Sequence, residues 1–279
     1  MSSRRVLRRL RDQRYRVTLP AARLLQRQVV DTVAPTTEWL ERAVGEQSPT
    51  VSVVMATHNR ARLLPRAIDS VLAQRHRRWE LVVVDDGSED DTPRVLASYG
   101  DDRIRTLRTD CRGPAGARNA ALALCTGDAV AYLDDDNLMH PLWLHAVAWA
   151  FSTFPDESCL YGARIVEANT CAMPGLPTSR MPRYQFVPYR RWLLEQANFI
   201  DVNVLAHRHP MAEARFTESL AQAADWELVL RLTRDSDPLA LPVVASLYST
   251  SGGQRLSDDP TAGREASLVA GLARRARRG

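Results

Sequence analysis

The chain has 279 residues, of which 45% are hydrophobic and 25% charged, a composition typical of a soluble globular protein with room for one large α/β domain. No apolar run approaches the roughly 20 residues of a membrane-spanning helix, and the N-terminus lacks the apolar core of a signal peptide, so we expect a cytoplasmic protein. All 37 basic residues are Arg, which excludes lysine nucleophiles and Walker-type phosphate loops. The formal net charge of +4 is the sum of basic ends and an acidic body, and this distribution argues against a nucleic-acid partner.

The first 47 residues are predicted to form a basic, partly helical arm. Residues 1–30 hold nine Arg against the single acid Asp12, a net charge of +8, and residues 264–279 add five Arg against Glu265, so the body carries 4 − 8 − 4 = −8. Leucines lie among the N-terminal arginines, as in helices that rest on an anionic membrane surface. A solvated arm packed on the domain fits the same pattern. Residues 257–279 are predicted to be a basic tail.

From residue 48 to residue 256 the pattern predicts one domain, which begins with alternating strands and helices. Apolar runs predict strands that are buried on both faces at Val51–Ala56 and Glu80–Val84. Two further strands are predicted at Arg103–Leu107 and Ala129–Leu133. Helical spacing of apolar residues predicts the elements between and after them, at Ala61–Gln74, Arg94–Tyr99, Ala115–Leu124 and Pro141–Phe154. This alternation predicts an α/β fold with a mainly parallel sheet flanked by helices, whose ligands bind at the carboxyl ends of the strands.

The second half of the domain is less regular. Its proline-rich stretch Glu167–Pro188 is predicted to be a loop or lid. Further elements are expected as helices at Tyr189–Gln196 and Gln222–Thr233 and as strands at Phe199–Ala206 and Leu241–Tyr248.

Three adjacent carboxylates, Asp134, Asp135 and Asp136, directly follow the fourth predicted strand. Carboxylates this close repel one another and are costly to bury without a cation. Their oxygens suit Mg²⁺ or Mn²⁺, which can bridge protein carboxylates to a diphosphate. A solvated acidic turn is the alternative, but the immediate return to Leu138 and Met139 and the position at a strand end favour a metal site.

Polar clusters also follow the other strands. Thr57-His58-Asn59-Arg60 comes after the first strand and could line a base pocket, with Arg60 within reach of phosphate. Asp85-Asp86-Gly87-Ser88 follows the second strand, where a carboxylate can accept a hydrogen bond from a base or a ribose. Gly113 and Gly116 open a helix that carries Arg118, and both a helix N-terminus and an Arg side chain favour phosphate.

The order of these segments, VSVVMATHNR, ELVVVDDGSEDDT, GPAGARNAAL and GDAVAYLDDDN, resembles the family 2 glycosyltransferases with the GT-A fold, over about residues 50–235. The resemblance implies transfer of a sugar from a nucleotide-diphosphate donor, with UDP- or dTDP-sugars favoured, in the presence of Mn²⁺ or Mg²⁺. Residues 48–155 would then be the nucleotide-sugar half and 156–256 the acceptor half. The implied donor-binding residues are Thr57, His58, Asn59, Arg60, Asp86, Arg118, Asp134 and Asp135, and the implied metal ligands are Asp134 and Asp136.

The resemblance also implies that Asp225 is the general base of an inverting displacement, and a retaining outcome, which occurs in related GT-A enzymes, stays open as the alternative. It places Glu218, Trp226 and Glu227 on the acceptor side. The chain departs from the family pattern at Ala224 and Thr217, where acids are usual, and at Tyr248-Ser249-Thr250-Ser251, where a His is usual. A noncatalytic nucleotide-sugar-binding or scaffold protein therefore stays open as an alternative, whereas a sugar nucleotidyltransferase is disfavoured because its glycine-rich loop and lysine are missing.

Overall fold

The computed structural model describes residues 48–166, 183–248 and 265–271. The predicted N-terminal arm, residues 167–182 of the predicted lid, the segment Ser249-Thr250-Ser251 and all of the basic tail except residues 265–271 lie outside the described residues. Over the ranges that are described, no helix is long and apolar enough to cross a membrane.

Four parallel strands form the first half of the sheet in the order β3-β2-β1-β4. They are β1 (Val51–Thr57), β2 (Trp79–Asp86), β3 (Ile104–Thr109) and β4 (Ala129–Tyr132). All eight residues of β2 and all four of β4 are buried, as expected for strands that are covered on both faces. The predicted parallel nucleus is therefore confirmed, and β1 lies between β2 and β4.

The three helices that connect these strands each begin with a proline in the first turn. They are α1 (Leu64–Leu72), α2 (Thr92–Ala97) and α3 (Gly113–Leu122). Proline favours this position because its fixed φ suits a helix and its missing N–H would have no helical partner. Pro65, Pro93 and Pro114 thus fix where the helices start, one or more residues away from the starts that apolar spacing predicts.

The second half adds mostly antiparallel strands to the same sheet. The short β5 (Leu138–Met139) pairs with β9 (Leu239–Tyr248), and helix α4 (Trp143–Thr153) leads to β6 (Cys159–Val166), which pairs with β7 (Arg183–Gln185). Strand β8 (Leu205–Arg208) pairs with β4 on one side and β6 on the other. Both predicted halves therefore contribute strands to one nine-stranded sheet.

Two predicted elements of this half differ from the structure. The helix expected at Tyr189–Gln196 is the short α5 (Arg191–Leu194). The strand expected from Phe199 begins only at Leu205, because Val202–Val204 form a 3₁₀ turn that is capped by Asp201, whose carboxylate accepts a hydrogen bond from the Asn203 N–H. Helix α6 (Ala224–Leu232) follows, and a further helix, α7, spans residues 265–271.

The core lies around the sheet, and its largest buried side chains include Trp143, Tyr132, Tyr161 and Phe216. Gly162 on β6 is required by this packing, since a Cβ there would lie 2.7 Å from the Trp143 ring. The tightly packed sheet leaves its open space at the carboxyl ends of β1, β2 and β4, where the site described next is formed.

Candidate active site

A cleft of about 1250 Å³ opens at the carboxyl ends of the parallel strands. Its walls come from the ends of β1, β2 and β4, from the first turns of α3 and α6, and from α7. Ten of the residues predicted to form the site line it: Thr57, His58, Arg60, Asp86, Arg118, Asp134, Asp135, Asp136, Asp225 and Trp226. The topology thus brings together residues that are up to 169 positions apart (226 − 57).

Asp86 anchors the first turn of α3. Its Oδ1 accepts hydrogen bonds from the Thr109 hydroxyl (2.7 Å) and from the Arg112 N–H (2.8 Å), and its Oδ2 accepts one from the Gly113 N–H (2.7 Å). Gly113 has φ +76°, a conformation that costs glycine little. Three of the four acceptor positions of this carboxylate are therefore used by the protein, and one is left for a ligand.

His58 is held by the loop that carries Asp86. Its Nδ1 lies 2.7 Å from the Asp86 carbonyl oxygen, so Nδ1 carries the proton and donates it, while Nε2 accepts from the Asn59 side-chain amide at 3.0 Å. The exposed ring is thereby fixed in orientation at the mouth of the cleft.

Asn59 has a structural position that its sequence motif does not indicate. It adopts φ +53°, and its side-chain oxygen accepts hydrogen bonds from the N–H groups of Glu89 (2.8 Å) and Asp90 (3.3 Å). Its own N–H donates to the Ser88 hydroxyl. Asn59 does not line the cleft and instead joins the ends of β1 and β2, which corrects its expected position beside the nucleotide.

Arg118 and Asp134 form an ion pair across the cleft floor. The Arg118 Nη2 donates to Asp134 Oδ1 at 2.6 Å, and Asn203 Nδ2 donates to Asp134 Oδ2 at 2.7 Å. The Arg118 guanidinium also lies over the Phe216 ring, 5.4 Å from its centroid. Asp134 therefore links α3 to the 3₁₀ turn before β8, and both of its oxygens already have a partner.

Asp135 and Asp136 form the rest of the acidic motif. Burial raises the pKa of Asp135 to about 7, and the neighbouring charge of Asp136 adds to the effect. Arg60 offsets part of it from 3.9 Å. Asp136 lines the cleft.

These residues fit a metal that is shared with a substrate. Over the described residues, no group of three or more His, Cys, Asp or Glu side chains could hold an ion alone. Mg²⁺ and Mn²⁺ are often held by one or two carboxylates together with substrate phosphates, and a cation would offset the cost of burying Asp135 beside Asp136. Asp136 lines the cleft beside Asp134, whose two oxygens accept hydrogen bonds from Arg118 and Asn203.

Asp225 lies in the first turn of α6 and lines the same cleft. Its Oδ1 accepts from the Trp226 N–H at 2.7 Å, and its Oδ2 accepts from the Asn198 amide at 3.1 Å. Burial raises its pKa to about 7, with the nearby charge of Asp201 adding to the shift and that of Arg118 opposing it. A carboxyl group of this pKa can take up a proton near neutral pH.

The residues predicted for the acceptor side divide into two groups. Trp226 lines the cleft and is fixed by its indole N–H, which donates to the Leu194 carbonyl at 2.6 Å. Glu218 lies instead in a smaller surface depression with Arg112 and Arg215. Glu227 pairs with Arg231 at 2.7 Å. Neither glutamate lines the cleft, because one precedes α6 and the other lies two residues beyond Asp225, on a different side of the helix.

Several cleft residues carry no signal in the sequence. Asn198 and Gln222 lie in irregular segments, and α7 contributes Ala266, Ser267 and Ala270. Glu265 at the start of α7 accepts hydrogen bonds from the N–H groups that precede α6, at 3.1 Å (Ala221), 2.8 Å (Gln222) and 3.0 Å (Ala223). Isolated amide residues and a short basic tail show no periodic pattern in the sequence, so only the structure identifies these residues as part of the cleft.

The chain is similar in sequence to a known protein family. Residues 52–211 match the glycosyl transferase family 2. The chain belongs to this family. The succinoglycan biosynthesis protein ExoO of Rhizobium meliloti is 28% identical over 219 residues, which cover 78% of this chain and 60% of ExoO. The chain therefore spans less than two thirds of the length of that relative.

Two solved structures share the fold. Staphylococcus aureus TarS (residues 1–349), in complex with UDP-GlcNAc, matches with a TM-score of 0.59 and 18% identity over 80% of this chain and 66% of that one. A mannosyltransferase from Pyrobaculum calidifontis, in complex with GDP-Man and Mn²⁺, matches with a TM-score of 0.53 and 20% identity over 82% of this chain and 66% of that one. The predicted GT-A fold is confirmed.

Proposed function

We propose that this protein transfers a sugar from a nucleotide-diphosphate donor to an acceptor hydroxyl, with inversion at the anomeric carbon. The observation that carries the proposal is the position of Asp225, which shares one cleft with Asp86 and the acidic motif and has a pKa of about 7. A donor site and a base within one cleft are what a single displacement requires.

The donor would lie along the carboxyl edge of the parallel strands. The free acceptor position of Asp86 and the oriented ring of His58 would hold the base. Thr57, Arg60 and Asp135 line the adjoining wall. Asp136, with help from Asp134, would hold a divalent cation, which when bound supplies positive charge to the departing diphosphate. The relatives in complex with UDP-GlcNAc and GDP-Man support a nucleotide-sugar donor, and we favour a UDP- or dTDP-sugar.

The protein's own part in the reaction is proton transfer and positioning. Asp225 takes the proton of the acceptor hydroxyl while the oxygen forms a bond to the anomeric carbon, and the bond from that carbon to the diphosphate oxygen breaks with its electron pair. Asn198 and the Trp226 N–H hold the two oxygens of Asp225. The Arg118–Asp134 pair fixes the floor below.

A donor panel tests this function. We expect full-length protein with Mn²⁺ to release nucleoside diphosphate from at least one UDP- or dTDP-sugar, faster when a sugar acceptor is added, and to lose the activity in excess chelator. Tight, specific binding of a nucleotide sugar without any release would favour the noncatalytic alternative. Activity that is complete in chelator would contradict the metal requirement.

A further inference from the structure

The first turn of α6, which carries Asp225, has no capping side chain of its own. The cap position of this helix is Ala223, which has no side-chain hydrogen bond to the helix. Alanine is a poor residue there because it offers no acceptor to the free N–H groups at the start of a helix. The main-chain donors around this helix start therefore need an acceptor from elsewhere in the chain.

Helix α7 supplies such an acceptor from a segment beyond β9. Its first residue, Glu265, has a carboxylate that accepts three main-chain hydrogen bonds. The donors are the consecutive N–H groups of Ala221 (3.1 Å), Gln222 (2.8 Å) and Ala223 (3.0 Å), which lie 42 to 44 positions earlier in the chain. The negative charge of Glu265 thus lies at the N-terminus of α6, where the helix dipole favours it.

Helix α7 is itself held against the domain. Val269 and Ala270 are buried, at 1% and 7% exposure, and both belong to the core around the sheet. Ala266 and Ser267, together with Ala270, line the cleft. The Glu265 carboxylate is therefore carried by a helix that the core fixes beside the cleft.

The segment that Glu265 holds leads directly into the turn that orients Asp225. Asp225 lies two residues after Ala223, and its Oδ1 accepts from the Trp226 N–H at 2.7 Å, a donor of the same first turn. Its Oδ2 accepts from the Asn198 amide at 3.1 Å. A shift of the segment before α6 would move both the carboxylate and one of its two donors, and a misplacement of about 1 Å can slow a reaction by about 10²-fold.

We propose that Glu265 is a positioning residue for the transfer reaction, because it fixes the first turn of α6 so that the Asp225 carboxylate meets the acceptor hydroxyl. The inference rests on the proposed function, since it assigns a partner to the base of that reaction. The residues proposed to bind the donor follow β1, β2 and β4 or lie on α3. Loss of the Glu265 carboxylate should therefore slow turnover without weakening nucleotide binding.

The test uses full-length protein, Mn²⁺, a glycoside acceptor and the donor identified by release of nucleoside diphosphate. The variants are Glu265→Ala, which removes both acceptor oxygens, and Glu265→Gln, which keeps the side-chain size and one oxygen. Each is also combined with Asp225→Asn, so that the dependence of the Glu265 effect on the base is measured directly. Leu268→Ala is the matched control, because Leu268 lies on α7 but is 55% exposed and does not line the cleft.

For Glu265→Ala we expect kcat to fall about tenfold or more, while the Kd for the nucleoside diphosphate stays within about twofold of the wild type. Glu265→Gln should have an intermediate kcat, and Leu268→Ala should match the wild type. In the Asp225→Asn background, Glu265→Ala should change the remaining rate by less than about twofold, because a residue that acts through the base has little effect once the base is lost. A purely structural loss would lower the rate equally in both backgrounds.

Two results would overturn the proposal: a kcat for Glu265→Ala within about twofold of the wild type, or an equal loss of rate in the Asp225→Asn background. Either result leaves the proposed function standing when Asp225→Asn alone is impaired. An Asp225→Asn protein with wild-type turnover contradicts the proposed function and this inference with it. Rates are compared at a temperature where thermal melting shows every variant to be folded, and Glu265→Gln carries the same comparison if Glu265→Ala does not fold.

Discussion

For single residues, burial of Asp225 couples its proposed reactivity to the stability of the fold. Its folded-state pKa of about 7 lies above the ordinary value of 3.8, so between these pH values the folded protein binds more protons than the unfolded chain. The stabilising contribution of the protonated group is complete below pH 3.8 and is lost as the pH rises through 7. The anion that the proposed reaction needs is thus the form that burial disfavours.

Replacing this carboxylate should exchange activity for stability. For Asp225→Asn we expect kcat to fall by about 10² to 10⁴, the range typical of a lost general base, with little change in nucleotide affinity. At pH 8 the variant should unfold with a free energy higher by on the order of 1–4 kcal/mol, because no buried charge is left. Denaturant unfolding at pH 4 and pH 8 checks this change in stability. A variant that is less stable than the wild type at pH 8 would show that the buried charge of Asp225 does not destabilise the folded protein.

Asp86 is expected to stabilise the fold as well as to bind the nucleotide. Its position after β2 suggests a base-contacting carboxylate that could be removed without harm to the fold. Its hydrogen bonds from Thr109, Arg112 and Gly113 change that expectation. Asp86→Ala should weaken nucleotide binding and also lower the free energy of unfolding by about 1–3 kcal/mol, since buried donors lose their acceptor.

Urea unfolding and calorimetric titration with UDP and Mn²⁺ check the Asp86 prediction. Glu89→Ala in the same loop is the control, because the Glu89 side chain is exposed and only its main-chain N–H bonds to Asn59. An Asp86→Ala protein as stable as the wild type would contradict the anchoring role that the hydrogen bonds indicate.

At the scale of elements, α7 fixes the segment that precedes α6. The Glu265 carboxylate accepts three main-chain hydrogen bonds there, where a helix N-terminus favours negative charge. Glu265→Ala should therefore lower stability by about 1–2 kcal/mol and speed hydrogen exchange at residues 221–224. Glu213→Ala, at an exposed position before α6, is the control. Unchanged exchange at 221–224 would mean that α7 does not hold this wall.

The elements also show how far the sequence determines the structure. The strands β1, β2 and β4 each contain a continuous apolar run. Burial on both faces dictates such runs, so the pattern alone predicts these strands. The short α5, the 3₁₀ turn at Val202–Val204 and the packing of α7 depend on single side chains such as Asp201 and Glu265. No periodicity encodes these contacts. The family resemblance places Glu218 and Glu227 on the acceptor side, whereas neither lines the cleft in the structure.

At the scale of the whole molecule, the uneven charge predicts a surface partner. Residues 1–30 carry a net charge of +8, and each basic residue near an anionic bilayer contributes on the order of 1 kcal/mol, which salt weakens. We expect the full chain to float with anionic liposomes at low salt and less at high salt, and a version that begins at Gln47 to remain unbound. Equal flotation of both would favour a packed arm and a soluble acceptor.

We propose that one cleft binds the donor and that Asp225 activates the acceptor within it. The most direct measurement compares the release of nucleoside diphosphate by the wild-type protein and by Asp225→Asn in the presence of Mn²⁺ and a glycoside acceptor. Nucleotide affinity is measured on the same samples. We predict that the variant binds nucleotide within about threefold of the wild type and releases product at least a hundredfold more slowly. A variant that turns over at the wild-type rate would contradict the proposed role of Asp225 as the base.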